Sequence, residues 1–438
     1  MGNFFYVAAG IVVLGIMVLL HEWGHFLAAK ACGVRVDVFS IGFGPRLWGV
    51  KRGDTDYRLS GLPLGGYVKM AGDNPAEERT GAPNEFLSRP RWQRFIIAVA
   101  GPMANIALTF IMFWGIYTFV GTPTDKSWFA APVVAALPQN ASANGVKPGD
   151  KILQVDGVIT PDWKKVFDQI SKVQPGSVVS VTVLRDDNST KLNIPVSNGQ
   201  VSSDAIVGYL AWPPIIDDIE LGSPAEKAGL KPGDLIISFN GKQIVTWLQL
   251  RNLIRNSDGQ PLHLVVQRDG KDVALDITPK HTIDPNGQMA WLIGADAKMD
   301  SVFERESFLA AFKDAGLQTA SLTRQIGNIV GGLFRGQLSV RELAGPVGIV
   351  QLSGQAAKRG ALTFLPFMAY ISLDLGLLNL LPIPILDGGH VLLLLIEGTL
   401  RRDLSVAAKE RFVQVGLVFL LGLFAFVMYS DILRLIQH

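Results

Sequence analysis

Four runs of apolar residues punctuate the chain, and one long stretch of mixed polarity separates the second from the third. The first, Phe4 to Ala31, is apolar except for the turn "HEWGH" and Lys30 near its end. The second is Phe95 to Val120. The third, Leu362 to Leu381, leads into "PIPILDGGHVLLLLIEG". The fourth is Phe412 to Tyr429. About 20 apolar residues in a helix cover a hydrocarbon layer of about 30 Å, so each run predicts a membrane-crossing helix. The pattern predicts a multi-pass α-helical membrane core made of two halves, 1–121 and 361–438, around a long insert.

Within the insert, "NGVKPGDKILQVDGVITPDW" (Asn144 to Trp163) repeats as "AGLKPGDLIISFNGKQIVTW" (Ala228 to Trp247), 84 residues on. That period is too long for a solenoid and predicts tandem domains. A helix end, a Pro-Gly turn, an alternating strand and an Asn-Gly hairpin turn resemble PDZ domains of α+β type. The expected limits are 124–207 and 208–298, with the second match better than the first, whose loop "ALPQNASANGVKPGD" is irregular. Residues 299–360 follow as a linker. In it, "SFLAAFKDAGLQTASLTRQIGNIVGGLF" has apolar positions three and four apart, which predicts an amphipathic helix at the outer membrane surface or a packed linker helix. Before the second run, "DYRLSGLPLGGYVKMAG" (Asp56 to Gly72) alternates and carries Gly65 and Gly66, which predicts a β-hairpin.

Composition agrees with a mixed protein. Of 438 residues, 48% are hydrophobic and 18% charged, and the mean hydropathy is +0.29. A net charge of +2 carries no signal for nucleic acid. One cysteine, Cys32, excludes an internal disulfide framework. The N-terminus lacks a basic leader and a cleavage site, so the first run is expected to be retained. The Met-Gly start lacks the Ser or Thr at position six of a myristoylation signal. Eleven basic residues from Lys30 to Arg94, and Arg401, Arg402, Lys409 and Arg411, lie between the first and second and the third and fourth runs. The positive-inside rule places both loops in the cytoplasm and the insert outside. His21 then lies about 25 Å into the layer, near its cytoplasmic side.

Ionisable groups inside hydrocarbon cost roughly 2.5–3.5 kcal/mol each and point to function. His21 and His25, four apart, share a helix face and suit one Zn²⁺. Glu22 sits about 100° around the helix, where it could take a proton from an activated water. The rival is a merely buried or channel-lining polar cluster. A catalytic zinc needs a third protein ligand. Asp387, in "NLLPIPILDGGH", is favoured because two prolines and two glycines break the helix there. Asp374 and His390 are rivals, with buried hydrogen-bonding and capping as their plain readings. His263, His281 and His438 are expected to be surface residues without a metal role.

HEWGH in the first span, Asn379-x-x-Pro382-x-Pro384-x-Leu386-Asp387-Gly388 in the third, and PDZ-like repeats between the second and third together resemble the site-2 protease family of intramembrane zinc metalloproteases. The resemblance covers essentially the whole chain. It implies one zinc per chain held by His21, His25 and Asp387, with Glu22 as general base that later passes the proton to the leaving amine. Asn379 would hold the substrate backbone or the oxyanion. Gly101 and Asn105, in "GPMAN", match a family motif expected to serve close packing. A sheet comparable to the hairpin with Gly65, Gly66 and Tyr67 dips into the membrane, where its edge could pair with an unwound substrate. The implied partners are the lipid bilayer of a bacterial inner membrane, single-span substrates such as an anti-sigma factor already cut once or a remnant signal peptide, and peptide C-termini at the PDZ domains. The alternative is a membrane-anchored PDZ adaptor with a structural metal. A transporter is weaker still, because the repeat lies in the insert rather than in the spans.

Overall fold

A computed structural model describes residues 2–73, 80–138, 145–196, 203–220, 222–284, 288–336 and 345–436. His438, Leu221, and residues 139–144 of the irregular loop in the first repeat lie outside them. In chain order, α1 (Gly2–Ala31) is followed by β1 (Val36–Arg52), β2 (Thr55–Met70) and α2 (Arg91–Phe119). The next elements are β3 (Thr122–Asp125), β4 (Lys151–Val155), β5 (Val158–Ile159), α3 (Trp163–Ile170), β6 (Val178–Arg185), β7 (Asn188–Pro195) and α4 (Ser203–Val207). Then come β8 (Ile216–Ile219), α5 (Pro224–Lys227), β9 (Leu235–Phe239), β10 (Lys242–Gln243), α6 (Trp247–Arg255), β11 (Leu262–Arg268) and β12 (Lys271–Ile277). Four short strands, β13 (Lys280–Ile283), β14 (Met289–Leu292), β15 (Ala295–Ala297) and β16 (Ser301–Glu304), precede the last helices. These are α7 (Phe308–Phe334), α8 (Pro346–Lys358), α9 (Ala361–Asn379), α10 (Asp387–Leu400) and α11 (Val406–Ile436).

The chain divides into two compact units, Met1–Val120 with Glu306–His438, and Gly121–Arg305. In the first unit, α1, α2, α9 and α11 are long and apolar enough to cross a membrane. Their limits agree with the four apolar runs to within a few residues, except that α11 begins about six residues before its run and ends about seven after it. The helix α2 packs against α1, α7, α9 and α10, and α1 also packs against α8. Ser307 caps α7 by accepting from the Ala310 amide. Ala311, Ala315 and Ile326 of α7 are buried, while Phe308, Leu309, Leu317 and Phe334 are exposed. The helix is thus packed on one face and apolar on another, so the two sequence readings of it do not exclude each other.

The loop between α1 and α2 differs from the expected hairpin. Asp56–Gly72 is not folded on itself; it supplies the strand β2, whose partner β1 lies upstream, with the turn at Gly53 and Asp54. Both strands bend. Residues 36–41 pair with 66–70 on one side and 56–59 on the other, while 48–52 pair with 55–59 further out. Gly65, at φ +111°, supplies backbone that side-chain-bearing residues rarely adopt. It marks a bend, not the hairpin turn. The segment 66–70 is therefore an edge of this sheet.

In the second unit, two four-stranded sheets have the same order, β5-β4-β6-β7 and β10-β9-β11-β12. Their equivalent elements recur 84 residues apart, except that β12 follows β7 by 83. Each encloses its own core, one around Trp163, Ile152 and Val181 and the other around Trp247, Ile236 and Leu264. Each repeat also buries one aspartate under one arginine. Asp150 accepts from Arg185 and from the Lys147 amide. Asp234 accepts from Arg268 at 2.7 Å and from the Lys231 amide at 2.8 Å. Arg185 and Arg268 also donate to the carbonyls of Gly145 and Gly229, tying the turn to the far strand.

Burial alone would raise the carboxyl of Asp234, but the hydrogen bonds and charge of Arg268 outweigh it and hold the group below its ordinary range. A lowered folded-state pKa contributes stability that is fully present above the ordinary carboxylate value of about 4 and is lost as pH falls through the folded value. Asp234→Ala leaves Arg268 without its buried partner and should cost about 3 kcal/mol. Amide hydrogen exchange of the full-length protein should show faster opening of β9 and β11 in the variant, and in the parent protein only below pH of about 4.

Candidate metal centre

The helix α1 carries His21 and His25 on the face turned to α2, and both rings are buried. His25 Nδ1 lies 2.7 Å from the Ile97 carbonyl and donates to it. In a neutral ring, that bond leaves Nε2 as the unprotonated nitrogen. Gly101, one turn along α2 from Ile97, faces the same ring, and a Cβ there would overlap His25 Nε2. His21 Nδ1 lies 3.4 Å from the side-chain amide of Asn105.

Asp387 comes from far along the chain. The helix α9 ends at Asn379, and α10 begins at Asp387. Pro382 and Pro384 keep the segment between them out of the helix. Ile385 is held at φ +81°, a strained position for a β-branched residue that costs about 1–3 kcal/mol. Side chains at Gly388 and Gly389 would overlap the carbonyls of Leu380, Leu381 and Ile383, so only glycine lets α10 start so tightly against the break. The result points Asp387 at the two histidines. Its Oδ2 lies 2.9 Å from His21 Nε2 and its Oδ1 3.3 Å from His25 Nε2. The two Nε2 atoms are 3.2 Å apart.

Among the described residues, these three form a group whose ligand atoms all lie within 4.8 Å of one another. The donor set fits a metal. Ligands each about 2.0–2.1 Å from a tetrahedral ion lie roughly 3.3 Å from one another, close to the spacings seen. The lone pairs of His25 Nε2 and of the carboxylate face each other, which is unfavourable unless a cation lies between them.

Glu22 is half-buried beside this group and takes a backbone hydrogen bond from Val68 of β2. It lines a cavity of about 1050 Å³ together with His21, His25, Asp387, Asn379, Gly65, Gly66 and Tyr67. All the residues singled out from the sequence as a site therefore share one cavity. Of the two rival ligands, His390 lines it and Asp374 does not. His263 is exposed and paired with Asp276, and His281 is exposed against Trp291.

The cavity also reaches a charged cluster that the sequence reading used only for topology. Glu397, buried near the end of α10, accepts from Lys409 at 2.6 Å and from the Leu404 amide at 3.0 Å, and lies 3.8 Å from Arg94. The cluster ties the end of α10 to the start of α11, and Arg94, Glu397 and Lys409 all line the cavity. Glu397 stands in the apolar run "VLLLLIEG", and the cost of such a group, as applied to HEWGH, would have singled it out.

A family model described as Peptidase family M50 matches residues 9–423. The chain belongs to that family. Its relatives span it end to end. It is 32% identical to "Regulator of sigma E protease" of Salmonella typhi, with 98% of each chain covered. It is equally similar to "Putative zinc metalloprotease PM1991" of Pasteurella multocida and to "Protease RseP" of Yersinia pestis, again with 98% of each covered. As a member of the M50 family the chain is a metalloprotease, and four of its helices can cross a membrane.

The geometry sets the expected result of metal analysis on purified variants. Asp387→Ala should lose its bound divalent metal, whereas Asp374→Ala and His390→Ala should retain it. Gly101→Ala should also lose metal, because the added methyl takes the space of His25 Nε2, while Gly115→Ala, where a Cβ meets nothing within 4 Å, should not.

Proposed function

We propose that the chain is an intramembrane zinc endopeptidase that hydrolyses peptide bonds within single-span membrane proteins. The observation that carries this is the placing of the Glu22 carboxylate beside His21, His25 and Asp387, in one cavity formed by helices long enough to cross a membrane. The three ligands would hold one Zn²⁺. When bound, zinc polarises the scissile carbonyl and lowers the pKa of water towards neutrality. Glu22 takes the proton released when water attacks the carbonyl carbon and delivers it to the departing amine. Asn379, at the end of α9 on the cavity wall, orients the substrate backbone with its amide.

A helical substrate must give up its own hydrogen bonds before it can be cut. The edge 66–70, whose sheet partners lie on the side of 36–41, offers backbone groups for an added strand. Gly66 and Tyr67 lie on this edge and Gly65 at the bend before it, and all three line the cavity. The repeats in the second unit read as PDZ-like domains on the outer side of a bacterial inner membrane, where they bind C-termini or exclude substrates with large outer domains. The relatives named for sigma E make an anti-sigma factor the first substrate class to test, and remnant signal peptides the second.

Glu22→Gln keeps the three ligands and removes the base. It should retain bound zinc and cut a single-span substrate at least 100-fold more slowly. Retained proteolysis would favour the adaptor reading, with cleavage from another source. Tyr67→Pro and Val68→Pro disrupt the 66–70 strand, and should impair cleavage with zinc content unchanged; normal turnover by both would discard strand addition.

A further inference from the structure

A buried asparagine of α2 meets the ring of His21 with an incomplete set of partners. Asn105 is wholly buried. Its Nδ2 lies 3.4 Å from His21 Nδ1, and its Oδ1 has no hydrogen-bond partner among the described residues. Its backbone carbonyl is already used, accepting from Thr109 and from Ser372 of α9. The bond from Thr109 lies within α2, and the bond from Ser372 ties the residue to α9, both without help from its side chain. A packing role does not account for the amide, since a buried amide without full satisfaction costs about 1–3 kcal/mol.

We infer that Asn105 is a positioning residue for the metal ligand His21, partnering its Nδ1 so that Nε2 faces the ion. This rests on the metal centre proposed above. The two histidines are treated differently by α2. His25 Nδ1 meets a backbone carbonyl, which can only accept, so its tautomer is fixed. His21 Nδ1 meets a side-chain amide, which presents oxygen or nitrogen after a half-turn about its last bond. With Oδ1 towards the ring, Nδ1 keeps its proton and Nε2 is free to ligate. With Nδ2 towards the ring, Nδ1 accepts and Nε2 carries the proton and donates it in a hydrogen bond to Asp387 at 2.9 Å. One residue thus serves the ring with metal and without it. The spacing supports the assignment: Gly101 and Asn105 are four apart on α2, and face His25 and His21, four apart on α1.

The test uses full-length protein in detergent, with zinc affinity measured by competition against a chromophoric chelator. Asn105→Ala should bind zinc 10–100-fold more weakly, as for the loss of such a partner at other metal centres. Asn105→Asp keeps an acceptor towards Nδ1 and should bind within threefold of the parent. Cobalt supplies a second readout, independent of affinity: its visible absorption band should shift in Asn105→Ala and be kept in Asn105→Asp. Should Asn105→Ala not fold, Asn105→Ser, which is shorter, replaces it with the same expectation. Equal zinc affinity in the parent and the Ala or Ser variant, or an Asp variant as weak as they are, would overturn the inference and leave the metal centre standing. A parent protein that binds no zinc would overturn the metal centre itself and this inference with it.

Discussion

An ionisable or strongly polar group inside hydrocarbon must find a partner, and much of the first unit is arranged by that requirement. His21 and His25 of α1 meet Asp387 of α10. Glu397 draws in Lys409, Arg94 and a backbone amide. Asp431, buried in α11, accepts from the Gly345 and Gly348 amides at 3.1 and 3.2 Å, so its charge sits at the N-terminus of α8. Each case pins a late helix to an earlier or neighbouring one. Lipid supplies no hydrophobic drive for helices to associate, so these compensated groups, with close contacts at small residues, specify which helices meet and at what height.

Much of this was legible in the sequence because the relevant signals are large and local. A run of twenty apolar residues has few other readings, and the four runs locate the spans. The prolines and glycines around Asp387 mark a real break between α9 and α10. Ser307 and the apolar spacing after it give α7 almost to the residue. The repeat is equally plain, since Gly149, Asp150, Gly233 and Asp234 keep the same places before β4 and β9.

What was not legible depends on pairing at a distance. The strand β1 was missed because Gly42, Gly44 and Pro45 interrupt its alternation, and because its two halves pair with different parts of β2. Asp56–Gly72 was read as a hairpin for the complementary reason: its alternation is real, but the partner strand lies before it. Asn105 looked like a packing residue since a small-residue motif in a span ordinarily is one. Only the register of α1 against α2 shows which side chain its amide meets.

That register is the deeper economy of the site. Two packed helices can match residues four apart on one with residues four apart on the other, because both repeat nearly every turn. Here the match sets Gly101 against His25 and Asn105 against His21. A slip of one turn would put the Asn105 amide where His25 needs room and set Thr109 in place of Asn105 opposite His21. Helix packing and ligand orientation are then the same constraint. The break before α10 has to satisfy it as well, since Asp387 reaches both Nε2 atoms at 2.9 and 3.3 Å only where those rings are already aimed. The strained Ile385 lies in this break, where the tight contacts at Gly388 and Gly389 also constrain the chain.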